Sequence, residues 1–190
     1  MGYRVSWIAR RGPETQGIIG VSRRHLTGER QDFPDVGWYL LELPNAVETP
    51  WVLLIADGSE NFGDLDPEDA KALSQGENET LYFACSDTVM GSGLACFRNG
   101  LEIWSIDYYC EDENRRPAMA GDVPQVAYDI LKELRTKQEA DDDADYIYEL
   151  TADVGRALVG FRHDMAPKAD DREPFQVLVK KKRTSKKGPI

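Results

Sequence analysis

TLYFACSDTVMGSGLACFRNGLEIWSIDYYCE, residues Thr80 to Glu111, decides the fold class of this chain. It writes two adjacent β-hairpins. Asn99-Gly100 stands between alternating strands and suits a two-residue type I′ turn, because both central residues need φ > 0. With that loop Arg98 pairs with Leu101, Phe97 with Glu102, Cys96 with Ile103 and Ala95 with Trp104. Side chains alternate along a strand. Leu94, Cys96, Leu101, Ile103, Ser105 and Asp107 are therefore expected on one face, and Ala95, Phe97, Trp104, Ile106 and Tyr108 on the other. A turn at Gly91-Ser92 adds Phe83, Cys85 and Val89 to the first face, which is expected to be the core.

The surrounding chain places helices around this sheet. Tyr3–Ala9 and Gly37–Leu43 are rich in β-branched and aromatic residues and read as strands. Trp51–Ala56 is an unbroken apolar run of strand length, which suits burial on both faces. Ile18, Ile19, Val21 and Leu26 can line a short helix, followed by a polar loop over Thr27–Asp35. Asp66-Pro67-Glu68-Asp69 is a strong helix start, with a capping carboxylate, proline in the first turn and acids after it. Asp122 is expected to cap a helix reaching about Lys137, because Val123, Val126, Ala127, Ile130, Leu131 and Leu134 make one apolar stripe. Tyr146–Leu150 reads as a strand, Thr151 as the cap of a helix with Val154, Ala157, Leu158 and Phe161 inward, and Phe175–Val179 as a last edge strand. The expected class is α+β, with a single largely antiparallel sheet and two or three helices packed on it. The expected organisation is one domain over residues 1–179 and a disordered basic tail over 180–190.

Charge and composition limit the function classes. The 190 residues carry a net charge of −11. Six of the 23 basic residues and none of the 34 acidic ones lie in Lys180–Ile190. The body is thus more acidic than the whole and is a poor surface for nucleic acid, which leaves the tail as the one place for such a tether. No apolar run reaches membrane-spanning length and no secretory signal pattern opens the chain, so a cytoplasmic protein with no membrane partner is expected. Three cysteines without a Cys-x-x-Cys pair suggest neither a disulfide framework nor a zinc site, and two histidines point to no other metal centre. No cofactor is implied.

Candidate functional residues fall into three groups. Asp87 and Asp107 project near strand ends; they can form a carboxylate pair, but pairing with Arg98 or Arg162 is the reading preferred. Trp104, Tyr108 and Tyr109 can offer a stacking platform, although packing within the sheet explains them more simply. Arg162, His163 and Asp164 follow a helix and combine a titratable base with charge. The expected role of this last group is structural: Arg162 pairs with an acid of the sheet, and His163 sits near solvent at the helix end. Met90-Gly91-Ser92-Gly93 lacks the Gly-Lys-Ser/Thr ending of a phosphate loop and the glycine pattern of a nucleophile elbow, so it reads as a turn.

Four short motifs carry a resemblance. Tyr3-Arg4-x-x-Trp7-Ile8-Ala9, Gly37-Trp38-Tyr39-Leu40, Glu102-x-Trp104-Ser105 and Gly160-Phe161-Arg162-His163-Asp164 resemble a group of small bacterial proteins that has no established activity. The resemblance spans roughly residues 3–164 and implies a bacterial, cytoplasmic setting. The acidic, sheet-rich build is also similar to that of bacterial immunity proteins, a likeness of fold type only. The function expected is that of a non-enzymatic acidic interaction protein of immunity or adaptor type. Its partner would be another protein, of basic surface on grounds of charge complementarity. The alternatives are a small hydrolase or ligand-binding enzyme using Asp87, Asp107 or His163, and a nucleic-acid tether acting through Lys180–Ile190.

Overall fold

The computed structural model describes residues 2–43, 50–76, 78–110, 116–141, 143–167 and 172–180. Its frame is one antiparallel sheet of nine strands in the order β2-β9-β3-β4-β1-β5-β6-β7-β8. The strands are β1 Arg4–Arg11, β2 Arg24–Gln31, β3 Gly37–Leu43, β4 Trp51–Asp57, β5 Glu79–Ser86, β6 Gly91–Arg98, β7 Leu101–Tyr109, β8 Ala118–Gly121 and β9 Phe175–Lys180. Four α-helices accompany them: α1 Gln16–Ser22, α2 Pro67–Leu73, α3 Gln125–Ala140 and α4 Leu150–Val159. The class is thus α+β, with more helices than the two or three expected.

The helices cover both faces of the sheet. Val5, Trp7, Leu53, Ile55 and Phe83 belong to a core with α3 and α4. Ile8, Val52, Leu54 and Ala56 belong to a second core with α1 and α2. This is why Trp51–Ala56 reads as an unbroken apolar run: alternate residues of β4 serve different cores. Helix α2 starts as its sequence demands. The Asp66 side chain accepts from the Asp69 N–H and the Asp69 side chain from the Asp66 N–H, a complete capping box.

The hairpin register differs from the expected one by a single residue. Asn99 and Gly100 do form the two-residue loop, with φ of 52° and 73°, and Arg98 pairs with Leu101. Phe97 still pairs with Glu102, but Cys96 pairs with Trp104, not Ile103. Ile103 is the extra residue of a β-bulge, and one extra residue moves everything after it to the opposite face. Trp104, Ile106 and Tyr108 therefore join Leu94 and Cys96 in the α3/α4 core, while Asp107 turns away from it. The bulge is held from the next strand. The Asp122 N–H donates to the Ile103 carbonyl at 3.0 Å, and Gly121 passes over that carbonyl with φ of 72°. The preceding hairpin turns at Asp87–Met90, so Cys85 pairs with Ser92 and Val89 is exposed.

Other corrections share a physical cause, the tertiary partner. Thr27 onward is strand β2 rather than a loop, and Leu26 lies in it rather than in α1. Its mostly exposed, polar residues carry no alternation to read; β9 supplies its pairing from the far end of the chain. Strand β9 lies between β2 and β3 and is not an edge. Tyr146–Glu149 is a 3-10 helix, not a strand, because the Asp145 side chain caps the Tyr148 N–H and turns the chain. Glu149, not Thr151, occupies the N-cap of α4, and Ala157 is exposed. Helix α3 begins at Gln125 with no side-chain cap, because Pro124, which has no side-chain acceptor, holds the N-cap position and Asp122 lies two residues before it. Cys85, Cys96 and Cys110 are free, the first two buried. The basic tail beyond Lys180 lies outside the described residues. No helix among those residues is long and apolar enough to cross a membrane.

The bulge yields a first test. A Cβ on Gly121 would lie 2.1 Å from the Ile103 carbonyl oxygen, whereas one on Gly20 in α1 meets nothing within 4 Å. Gly121→Ala should cost at least ~1–3 kcal/mol in urea unfolding, from left-handed backbone plus the clash. Gly20→Ala should be neutral or stabilise by up to ~1 kcal/mol.

Candidate functional site

The strand ends of β5 and β6 and the two ends of α4 surround a cavity of about 320 Å³. Strand β5 supplies Phe83 and Cys85, the turn after it Asp87, and β6 Ser92. Cys85 and Ser92 are directly opposed, so both point to the α4 side. Tyr148 enters from the 3-10 helix, Thr151 from the first turn of α4, and Arg162 and His163 from the segment after it. Gly160 closes α4 with φ of 82°, its N–H bonded to the Arg156 carbonyl. Glycine thus satisfies the helix end, and the residues beyond it turn inward.

His163 is 7% exposed, not near solvent as expected. Its ring meets Tyr3 edge-on at 5.1 Å between centroids and lies tilted over Phe83 at 5.6 Å. Its Nε2 faces the Cys85 sulfur at 3.9 Å. The sulfur lies 3.1 Å from the Tyr148 hydroxyl, which donates to Asp87 Oδ1 at 2.7 Å. Asp87 Oδ2 accepts the Tyr3 backbone N–H at 2.7 Å.

Counting protons gives this chain a direction. A carboxylate only accepts, so the single Tyr148 hydroxyl proton goes to Asp87. The thiol proton has two oxygen acceptors in reach, Tyr148 at 3.1 Å and Asp87 Oδ1 at 3.7 Å, both nearer than His163 Nε2 at 3.9 Å; we direct it to one of these oxygens. The sulfur, its own proton spent, accepts from Nε2–H. The relay then runs from His163 through Cys85 to Asp87, directly or by way of Tyr148, and it leaves the His163 Nδ1 as a bare acceptor. That Nδ1 is buried and has no hydrogen-bond partner, and so are the hydroxyl oxygens of Ser92 and Thr151.

Arg162 anchors the segment. It reaches Glu149, Asp153 and Asp164, none of them on the sheet where its partner was expected. Burial opposes its charge, but the Asp164 hydrogen bond and the three carboxylate charges outweigh burial and hold the guanidinium charged well above its ordinary range. Burial likewise works to raise Asp164, and the bond and charge of Arg162 overcome it and hold its carboxyl low. For His163 burial dominates and lowers its pKa below the usual 6.5, leaving a neutral ring at pH 7.

The thiol–imidazole contact invites a nucleophile reading, and electrostatics opposes it. Burial pushes the Cys85 thiol up to about 12, with the charges of Asp87 and Glu149 adding to the effect against the lowering by Tyr148. A thiolate is the reactive form, and activation needs cationic surroundings. No third group orients the imidazole from Nδ1 either. The arrangement can hold a polar molecule and polarise it; it is not poised to attack one. Among the described residues no three His, Cys, Asp or Glu side chains are grouped to hold a metal ion.

The sequence-derived candidates separate. Asp87, Arg162, His163 and Asp164 line the cavity together. Asp107 lies across the sheet from it, facing Gly93, and Trp104 and Tyr108 are buried in the α3/α4 core while Tyr109 is 62% exposed on the opposite face, so these aromatic side chains form no common platform. Cys85, Tyr148 and Thr151 were missed as site residues. The helical spacing of Ile147, Leu150, Thr151 and Val154 could have shown that Tyr148 and Thr151 share one helical segment. No family model, curated protein or solved structure matches the chain.

The site makes stability depend on pH with a definite sign. The unfolded chain protonates His163 below about pH 6.5 while the folded chain resists, so stability falls as pH drops through that value. Asp57 on β4 works the other way. Burial first, with Asp35 adding, raises it from 3.8 to about 6, so between those values the folded state holds a proton that the unfolded state lacks. Its contribution grows as pH falls through that window. In urea titrations, His163→Gln should gain stability relative to wild type from about pH 7 to about pH 5, and Asp57→Asn should lose it over the same range.

Proposed function

We propose that the chain is a small-molecule-binding protein whose ligand occupies the cavity between β5–β6 and α4 and hydrogen-bonds His163 Nδ1, Thr151 Oγ1 and Ser92 Oγ. One observation carries this reading. Among the described residues five buried side-chain nitrogen or oxygen atoms have no hydrogen-bond partner, and three of the five belong to residues that line this one cavity. A buried polar group left unpaired costs ~1–3 kcal/mol, so such atoms are few in folded proteins and call for an explanation. Three together around a space large enough for a small molecule are explained by what fills it. At about 320 Å³ the cavity lies at the small end of ligand sites. Apolar walls and a few converging polar groups are the usual build of such sites.

Of the alternatives raised by the sequence, the ligand-binding one is favoured by Asp87 and His163 standing in a common cavity. Hydrolysis through Cys85 is disfavoured by its raised pKa and its carboxylate neighbours.

Thr151→Val separates a ligand contact from a structural hydroxyl. Both side chains are β-branched and close in helix propensity, so the change tests the hydroxyl itself. The variant should be more stable than wild type by ~1 kcal/mol or more, because an unpaired hydroxyl is removed. It should also lose the binders found in a protein-observed NMR screen of polar fragments, and in wild type those binders should move the Thr151 methyl and the His163 ring. A destabilised variant, or fragments that bind only elsewhere, would contradict the reading.

A further inference from the structure

We infer that the ligand of this cavity is a small organic cation bearing N–H donors, a primary ammonium or a guanidinium on a short apolar body. This rests on the ligand-binding reading and specifies the chemistry of that ligand. Asp87, Glu149 and Asp164 line the cavity, and Asp153 stands beside them on Arg162. Among the described lining residues Arg162 is the one standing cation, because His163 is neutral. Four carboxylates therefore stand against one guanidinium, three of them paired with it and Asp87 apart from it, and the site is short of positive charge.

The N–H donors and the Tyr148 proton are spent as well, which leaves the Ser92 and Thr151 hydroxyls as the unpaired donors. Arg162 directs Nε and both terminal nitrogens to Asp164, Asp153 and Glu149. The Tyr148 proton goes to Asp87. An α-helix N-terminus usually offers free N–H groups to an anion. Here the 3-10 helix runs straight into α4, and the Leu150 N–H donates to the Ile147 carbonyl. An anion would meet surplus negative charge and little to bind it. A cation with N–H donors meets carboxylates, the free Nδ1 lone pair and two hydroxyls that can accept. Its apolar body would lie against the rings of Tyr3, Phe83 and Tyr148.

The test titrates the whole chain at fixed ionic strength with four probes: propylammonium, 1-propanol, propionate and tetramethylammonium. The Thr151 methyl and the His163 ring report by NMR. Propylammonium should bind about tenfold or more tightly than 1-propanol, because its hydrogen bonds are charge-assisted. Propionate should give no saturable shift. Tetramethylammonium keeps the charge but brings no N–H, leaves the acceptors unpaired, and should fall behind propylammonium by about tenfold. Glu149→Gln and Asp87→Asn should each weaken propylammonium more than 1-propanol, and two variants guard against one that fails to fold. Propionate or propanol equalling propylammonium would overturn the assignment of charge and leave a neutral or anionic ligand in the same cavity. Tetramethylammonium equalling it would overturn the requirement for donors. If no probe moves Thr151 or His163, the ligand-binding reading falls with it.

Discussion

The contact on which the site depends is Trp7 against Gly155. Trp7 stands at the centre of the sheet, 1% exposed, stacked on Phe83 with centroids 5.1 Å apart and planes 15° from parallel. Helix α4 crosses this layer at Gly155, where a Cβ would lie 3.1 Å from the indole. The close approach sets the height of α4 above the sheet, and both ends of α4 serve the cavity. Thr151 enters from its first turn. Past its last, Phe161 packs edge-on against Trp7 at 6.4 Å and Phe175 at 6.2 Å, which fixes the start of the segment carrying Arg162 and His163. A larger residue at 155 would lift the helix and open both walls at once.

Within that frame stability and binding pull in opposite directions. The core is close-packed on both faces of the sheet, yet one corner keeps a space with a buried imidazole nitrogen and two hydroxyls unpaired. Filling that corner with aliphatic side chains would be the more stable solution. The relay from His163 to Asp87 adds a constraint. With the thiol proton directed to Tyr148 or Asp87, the sulfur faces Nε2–H, so the tautomer of His163 is set from the Asp87 side of the relay. Arg162 supports the arrangement by pairing with Glu149, Asp153 and Asp164, which ties the segment after α4 to the 3-10 helix and to α4 itself. A buried guanidinium is stable only when so compensated, and its planar fork suits several carboxylates at once.

Elements set by local chemistry were legible in the sequence. The Asn99-Gly100 turn, the Asp66 capping box, the apolar run of β4 and the stripe of α3 each follow from residues a few positions apart. Elements set by distant partners were not. Strand β2 is polar on both faces and exists because β9 pairs with it. The Ile103 bulge depends on Gly121 and Asp122 of a later segment, and missing it exchanged the faces of Trp104 and Asp107. The site was legible in the same measure. Arg162, His163 and Asp164 stood out as a cluster, but their burial depends on where α4 lies, and that depends on Gly155 meeting Trp7. Cys85 looked like an ordinary core thiol because its neighbours Tyr148 and His163 come from residues more than sixty positions away.

The claim at the centre of this account is that the His163 ring is neutral, carries its proton on Nε2, and keeps Nδ1 unprotonated for a ligand. The ¹⁵N spectrum of the His163 imidazole in the ligand-free protein at neutral pH tests it most directly. The expected result is an Nε2–H tautomer whose Nδ1 resonates as a free, unbonded nitrogen. A proton on Nδ1, or on both nitrogens, would contradict the relay and remove the acceptor on which the proposed binding site is built.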